Sequence, residues 1–404
     1  MEPKIRFIGH KSNWSVVALD KVTTARNASN ALVNNRNLLS LSYGKIVNKD
    51  IDSNKGLLPS SFSTYQIIEP DTIVFRGTDL QNDKRSLRVA ISKQKGIISP
   101  AYVTMDVTDE NILPDYLYLA MHWHDVAKKS YYKMGDGLRQ TLPYSVLKEL
   151  EIPFPNKSEQ QGIIAYFQKF DAKLQASAKK VEFLKKLKSA SLVAMFPQQG
   201  ESMPKVRFKG FEGEWRRIKF SKISSRVTRR NDMLECKLPL TISANEGLIS
   251  QEKFFKNIVA SSNLDNYYLL KRGEFAYNKS YSNGYPFGAI KRLDKYDSGV
   301  LSPLYICFGI HNEVDSDYIC FFFETTLWHK DVAERATEGA RNHGILNIGT
   351  EDFFDIDIMI PESKEEQQSI ATFFRSLDRK IALETARLEK LKQIKLACLD
   401  KMFV

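Results

Sequence analysis

Two kinds of side chain in this 404-residue chain could do chemistry, and they point in different directions. Catalytic patterns are missing: there is no Gly-x-Gly-x-x-Gly after a strand, no Gly-Lys-Ser/Thr phosphate loop and no His-Glu-x-x-His. His122-x-His124 alternates as on a strand or loop and has no third or fourth metal ligand in view. Asn283-Gly284-Tyr285-Pro286-Phe287 superficially resembles the segment with which amino-methyltransferases hold a flipped base, but its residue order is wrong and no cofactor-binding glycine run precedes it. Asp171-Ala172-Lys173 could be the tail of a nuclease metal site; its repeated counterpart, Asp378-Arg379-Lys380, favours a helix-start or kink role instead. The second kind is basic and amide side chains, mixed with aromatics on expected loops. In the first half these are Arg26, Asn27, Arg76, Lys84, Arg85, Arg88, Arg139 and Gln140. In the second half they are Arg229, Arg230, Asn231, Lys279, Tyr281, Asn283, Arg341, Asn342 and His343. Arg and Lys match the acceptors of guanine, Asn and Gln pair with adenine, and all of them hold phosphates, so the chemistry offered is DNA reading. Arg139 and Arg341 carry the most weight, because they fall at equivalent places in two glycine-rich loops.

Charge agrees with that direction. A formal net charge of +11 and a pI near 9.2 favour an anionic partner, nucleic acid before an anionic membrane surface. No run of about 18 apolar residues occurs, so no transmembrane helix is expected. The opening Met1-Glu2-Pro3-Lys4-Ile5-Arg6 lacks the apolar centre of a secretory signal, and a cytoplasmic protein is expected. Four scattered cysteines without a Cys-x-x-Cys spacing fit a reduced compartment and argue against structural zinc.

The elements that must position these residues are legible from an internal repeat. Glu159-Gln160-Gln161-Gly162-Ile163 answers to Glu366-Gln367-Gln368-Ser369-Ile370, and Met195-Phe196 to Met402-Phe403. Between these marks, Leu174, Val181, Leu184, Leu187 and Met195 in one copy match Ile381, Leu388, Leu391, Ile394 and Met402 in the other. Spacings of three, four and seven put each set on one stripe of a helix. Two matched stripes most simply bury each other, which predicts two helices of about 35 residues packed as a coiled coil.

The repeat extends to the globular parts. Pro3-Lys4-Ile5-Arg6-Phe7 through Trp14 matches Pro204-Lys205-Val206-Arg207-Phe208 through Trp215, and each Trp leads to a basic, Asn-containing run: Arg26-Asn27 in one copy, Arg229-Arg230-Asn231 in the other. Short runs rich in Ile, Val, Phe and Tyr, such as Thr72 to Phe75 and Glu274 to Tyr277, read as sheet. Helices are expected around Asp115 to Leu119 and Asp317 to Phe322, followed by the glycine-rich loops and a short strand into Pro153 or Pro361. The fold class is therefore α+β: two mixed α/β domains in tandem, each followed by a long helix. The expected boundaries are 1–152, 153–200, 201–360 and 361–404. From Leu39 to Arg88 and from Leu240 to Arg292 the copies match only sparsely, which suggests one architecture serving two different targets.

The pattern resembles the DNA-specificity subunit of type I restriction-modification enzymes. The resemblance rests on Pro153 to Gln161 and Pro361 to Gln368, the amphipathic helices ending Met-Phe, the opening Pro-Lys-x-Arg-Phe with its Trp, and Gly273 to Ser280. It implies a non-catalytic subunit with two target-recognition domains, each reading one half of a split double-stranded DNA sequence. It further implies docking of two methyltransferase subunits and of restriction (motor and nuclease) subunits. S-adenosylmethionine, ATP and magnesium would then be bound by those partners, with no cofactor, metal or membrane contact for this chain. Phe75-Arg76-Gly77-Thr78 stands where the second copy has Tyr277-Asn278-Lys279-Ser280, so DNA contacts do not transfer residue for residue between the halves.

Helix length adds a geometric expectation. From Asp171 to Met195 the rise is about 36 Å at about 1.5 Å per residue, close to one turn of duplex DNA. Antiparallel helices with a pseudo-twofold arrangement would then carry the readers about one turn apart. The competing reading is a coiled-coil scaffold or adaptor whose basic surface meets an acidic protein, without sequence-specific DNA binding.

Overall fold

The computed structural model describes residues 3–32, 37–50, 59, 61–78, 88–126, 142–243, 246–255, 264–280, 285–336 and 348–403. The chain divides into two compact units, Met1–Ala178 with Ala386–Val404, and Lys179–Thr385. Each unit contains one globular part, the start of the long helix that follows it in sequence, and the end of the long helix from the other repeat.

In the first unit a four-stranded antiparallel sheet runs in the order Thr23–Ala25, Val103–Val107, Ile73–Phe75, Val89–Ile91. Gln66–Ile68 pairs with Gly96–Ile98, and Leu39–Ser42 with Lys45–Asn48. Tyr43 and Gly44 join that hairpin with φ of 47° and 75°. A two-residue turn with both φ positive suits the right-handed twist of the strands it connects. Ser15–Ala18 pairs with Glu151–Phe154, so the strand after the opening Trp14 closes on the strand that leads into the long helix. The helix Pro114–Val126 lies over the core, with Tyr116, Leu117, Ala120 and Met121 buried. It also contains His122 and His124, both buried; the expected strand or loop at this pair is a helix, which places the two side chains two positions apart on a helical surface rather than on one strand face.

The second unit repeats the plan. Its sheet runs Ser224–Arg226, Ile306–Ile310, Phe275–Asn278, Ala289–Arg292, and Arg216–Lys219 pairs with Asp357–Ile360. Tyr268–Lys271 pairs with Ser298–Leu301, and Leu240–Ser243 with Gly247–Ser250. The helix Ser316–Phe322 occupies the place of Pro114–Val126 and starts at Asp315, whose carboxylate accepts from the Tyr318 amide.

The long helices are Lys157–Met195 and Lys364–Met402, 39 residues each. Asn156 caps the first by accepting from the Glu159 amide, and Ser363 caps the second by accepting from the Glu366 amide. Phe196 and Pro197 follow the first helix; proline lacks the amide needed to continue it. The helices are antiparallel in both units: Tyr166 and Asp171 meet Cys398 and Lys395 in one, and Lys180 and Lys188 meet Glu384 and Asp378 in the other. Asp171 and Asp378 thus sit well inside their helices, each salt-bridged to a lysine of the opposite helix, instead of marking a helix start or kink.

The seam between the helices also corrects the expected stripe. Val181, Leu184, Met195 and Met402 are buried, and Leu174, Ile381, Leu388 and Leu391 half-buried. Leu187 and Ile394 are exposed, at 40% and 38%. An unbroken three-four alternation from Leu174 passes through Ser177, Val181, Leu184, Lys188, Ser191 and Met195, and its counterpart from Ile381 passes through Lys395. Lysine therefore holds the seam position in each copy, and the neighbouring Leu187 or Ile394 turns outward.

Each helix ends as a plug. Phe403 lies among Trp14, Tyr116, Trp123 and Phe167, with ring centroids 5.7 to 6.4 Å apart. Phe196 lies among Trp215, Tyr318, Phe322 and Phe374 at 5.5 to 6.4 Å. Met195 and Met402 join these globular cores beside them. Burying one such side chain contributes about 1.5 to 3 kcal/mol.

Candidate nucleic-acid interface

The sequence repeats that looked most like signatures turn out to hold the scaffold together. Arg6 donates from Nε and a terminal nitrogen to both oxygens of Glu159, each at 2.8 Å, and Arg207 does the same to Glu366 at 2.7 Å. Both carboxylates are buried. The hydrogen bonds from Arg207 to Glu366 hold that guanidinium above its ordinary pKa. Gln160 accepts from the Leu113 amide and donates to Asn111 and Pro155 carbonyls; Gln367 accepts from the Asp315 amide and donates to the Pro361 carbonyl. The Tyr116 hydroxyl donates to the Pro153 carbonyl and that of Tyr318 to the Met359 carbonyl. Burial, then the nearby Glu159 or Glu366, pushes both phenols well above the usual tyrosine value, so they stay protonated donors. The opening Pro-Lys-x-Arg-Phe and the Glu-Gln-Gln are thus two halves of one lock, used once per unit.

The expected DNA contacts divide more sharply. Arg139, Gln140, Lys84, Arg85, Tyr281, Asn283, Arg341, Asn342 and His343 lie outside the described residues. Arg88 is 1% exposed, and its guanidinium donates to the carbonyls of Arg76 and Thr78. Asn231 is fully buried: its amide donates to Cys236 and Leu264 carbonyls and accepts from the Cys236 amide. These two side chains are spent on folding their own loops, and the structure corrects their reading as DNA contacts. Arg76 is half-buried beside Arg88. Lys279 reaches the Ile348 carbonyl at 3.3 Å.

Four residues remain, two in each unit. In the first unit Arg26, Asn27, Ser29, Tyr65, Gln66 and Tyr102 line an open cleft of about 350 Å³. Arg26 is braced by the Ile67 carbonyl and Asp106, at 2.8 and 2.6 Å, while Asn27 is exposed. In the second unit Arg226 donates to the Tyr268 hydroxyl and the Arg230 guanidinium lies 4.4 Å from the centre of the Tyr268 ring. Arg229 pairs with Glu274 at 2.7 Å.

Backbone pairing also moves the expected register of this region. The Asn30 amide donates to Tyr65 and the Asn231 amide to Tyr267; Ser29 bridges to Gln66 and Arg230 to Tyr268. Asn30, not Asn27, is therefore the counterpart of Asn231. The sequence alone sets Asn27 against Asn231, because the flanking residues differ and the decisive feature is a main-chain hydrogen bond.

Two globular parts built on one plan, each followed by a long helix, and Arg-, Asn- and Tyr-bearing surfaces make a sequence-recognition module with no catalytic constellation among the described residues. The chain matches the type I restriction modification DNA specificity domain over residues 12–186 and 262–393, and it belongs to that family. This is a family of non-catalytic specificity subunits that bind no cofactor themselves. No curated protein matches the chain. Among solved structures, the S subunit of a type I restriction-modification system from M. genitalium is 16% identical, with 100% of this chain and 99% of that one covered and a TM-score of 0.57. A chain from a study of complex assembly and conformational transition of the type I system is 14% identical, with 97% and 98% covered and a TM-score of 0.56. At these identities the likeness is one of fold. No described helix is long and apolar enough to cross a membrane.

Proposed function

We propose that this chain is the specificity subunit of a cytoplasmic type I restriction-modification complex, in which each unit reads one half of a split DNA target. The observation that carries the reading is the pairing of a repeated scaffold with unlike surfaces: the same Arg–Glu lock and Phe plug in both units, against an open cleft at Asn27 and Tyr65 in one and stacked Arg230 and Tyr268 in the other. The division into readers at 1–152 and 201–360 and spacers at 153–200 and 361–404 belongs to this proposal. So does the recruitment of two methyltransferase subunits and of restriction subunits, which would supply S-adenosylmethionine, ATP and magnesium. Arg26, Asn27, Arg76, Arg229, Arg230 and Lys279 are the described candidates for phosphate and base contacts; the candidates in the glycine-rich and neighbouring loops complete the set.

The test is selection of bound duplexes from a random pool, with the chain co-expressed with its methyltransferase subunit at near-physiological salt. The expected result is two short selected halves separated by a fixed gap of unselected bases. A pool without sequence preference from a well-formed complex would replace this reading with an adaptor holding DNA backbone or another acidic partner. Inserting one heptad into each long helix, about 10.5 Å, is expected to lengthen the gap by about 3 base pairs.

A further inference from the structure

A buried asparagine carries an exposed apolar side chain in both repeats. After Asn30 the chain turns, and Leu32 at the turn is 82% exposed; after Asn231 it also turns, and Met233 is 83% exposed. Two of the anchors match. Asn30 donates its amide side chain to the Phe62 carbonyl at 3.3 Å and its main-chain amide to Tyr65 at 2.9 Å. Asn231 donates to the Leu264 carbonyl at 3.3 Å and to Tyr267 at 3.1 Å. In the second copy the Leu234 amide closes the turn on the Asn231 carbonyl, with Leu234 itself at a φ of 50°. That left-handed conformation is unusual for a residue other than glycine.

A single exposed Leu or Met is ordinary on a protein surface. This pair is distinguished by its repetition, each two residues after a buried asparagine, within a stretch where the two copies otherwise differ. Each turn also adjoins a feature suited to DNA: the cleft at Asn27 and Tyr65 in the first unit, and Arg229 and Arg230 in the second. The positive side chains match a polyanion. An apolar tip beside them gains nothing from phosphate, and the one apolar group displayed in the major groove is the thymine methyl.

We infer that Leu32 and Met233 are specificity-determining residues, each packing against a thymine methyl in its own half of the DNA target. The inference rests on the DNA-reading function proposed above and adds to it a named contact in each half. Two copies of one apolar tip give the subunit a common thymine-sensing device, while the unlike residues around them make the halves different.

The experiment uses the full chain with its methyltransferase subunit and the duplex that the wild-type complex selects. Thymines are replaced by deoxyuridine in one half at a time, which removes the methyl and keeps every hydrogen-bonding group. Wild-type binding is expected to weaken about fourfold at one thymine in each half, the worth of one buried methyl-sized group. Leu32→Ala should abolish that thymine preference in one half and leave it in the other, and Met233→Ala should do the converse. The retained preference in the untouched half shows that each variant folds and assembles. Variants that keep the wild-type thymine-to-deoxyuridine ratio in both halves overturn the inference, as does a wild-type complex indifferent to deoxyuridine. If the wild-type complex selects no split target at all, the proposed function fails first and the inference with it.

Discussion

The two units share the Arg–Glu lock, the Gln and Tyr hydrogen bonds and the Phe plug, and differ in how the globular part meets the helix pair. In the first, Asp171 pairs with Lys395, and the Tyr166 hydroxyl lies 3.3 Å from the Cys398 sulfur. In the second, Phe373 and Ser191 replace that polar contact, and a band of charge takes over. Lys188 bridges Glu324 and Asp378 at 2.7 and 2.6 Å, and Asp317 bridges Arg292 and Arg375 at 2.7 and 2.9 Å. His122 stands in the first unit where Glu324 stands in the second. The residues that make a unit a unit are apolar plugs and a buried ion pair; the charges on the adjoining surface vary around them.

The plugs are the strongest way to break this likeness. Phe403→Ala and Phe196→Ala should each cost about 3 to 5 kcal/mol, and each should weaken one unit more than the other. Phe403→Ala would act on the unit that contains Trp14, and Phe196→Ala on the one that contains Trp215. Chemical denaturation of the full chain, followed with a single tryptophan retained in each unit in turn, checks this; equal loss in both units would count against two separate plugs. Next come the locks. Arg6→Ala and Arg207→Ala each leave a buried glutamate without its cation, at about 3 kcal/mol. Adding Glu159→Gln to the first, or Glu366→Gln to the second, is expected to restore part of that loss.

A smaller effect separates the units. Lys188 has two acidic partners and Lys395 one, so Lys188→Ala should cost about 1 to 2 kcal/mol and Lys395→Ala about half as much. Burial alone would lower the Lys188 pKa, but Glu324 and Asp378 raise it above the ordinary lysine value. The comparison is made by unfolding both variants at low and high salt; equal costs would mean that the second acid adds nothing.

How much of this the sequence made legible depends on what kind of signal carried it. The helices, the doubled plan and the α+β class follow from apolar spacing and from repeated short motifs, which are local. Met-Phe at each helix end was visible as a repeat, but its role as a plug was not, because it acts on residues more than 200 positions away in the first unit. At Leu187 and Ile394 apolar spacing points one position away from the seam, because an apolar residue beside the true position outweighs the lysine in it; only packing shows that a lysine with a largely buried side chain and a paired head can occupy such a site. Arg88 and Asn231 differ from expectation for the converse reason. Their types suit DNA equally well, and nothing in composition tells an arginine that binds its own loop from one that faces a ligand. Asn30 carries no signal in the sequence, because a backbone bond to a residue ahead of a strand is what aligns it with Asn231.

The smallest expected effect is the response of the second unit to acid. His329 sits in the second unit with its ring 4.7 Å from that of Phe287 and 4.6 Å from that of Trp328, and burial lowers its pKa below the ordinary value of 6.5. The folded state thus favours the neutral ring, and the unfolded chain takes up a proton at higher pH than the folded one. Its contribution to stability is fully present above about pH 6.5 and is lost as pH falls through that value towards the lowered folded pKa. The second unit should therefore lose stability between pH 7.5 and 5.5, and His329→Phe, which keeps an aromatic ring against Phe287 but cannot be protonated, should reduce that loss. Thermal unfolding of the two proteins across this range decides the point: parallel curves would place the acid sensitivity elsewhere, while converging curves at high pH and diverging ones at low pH would assign it to this ring.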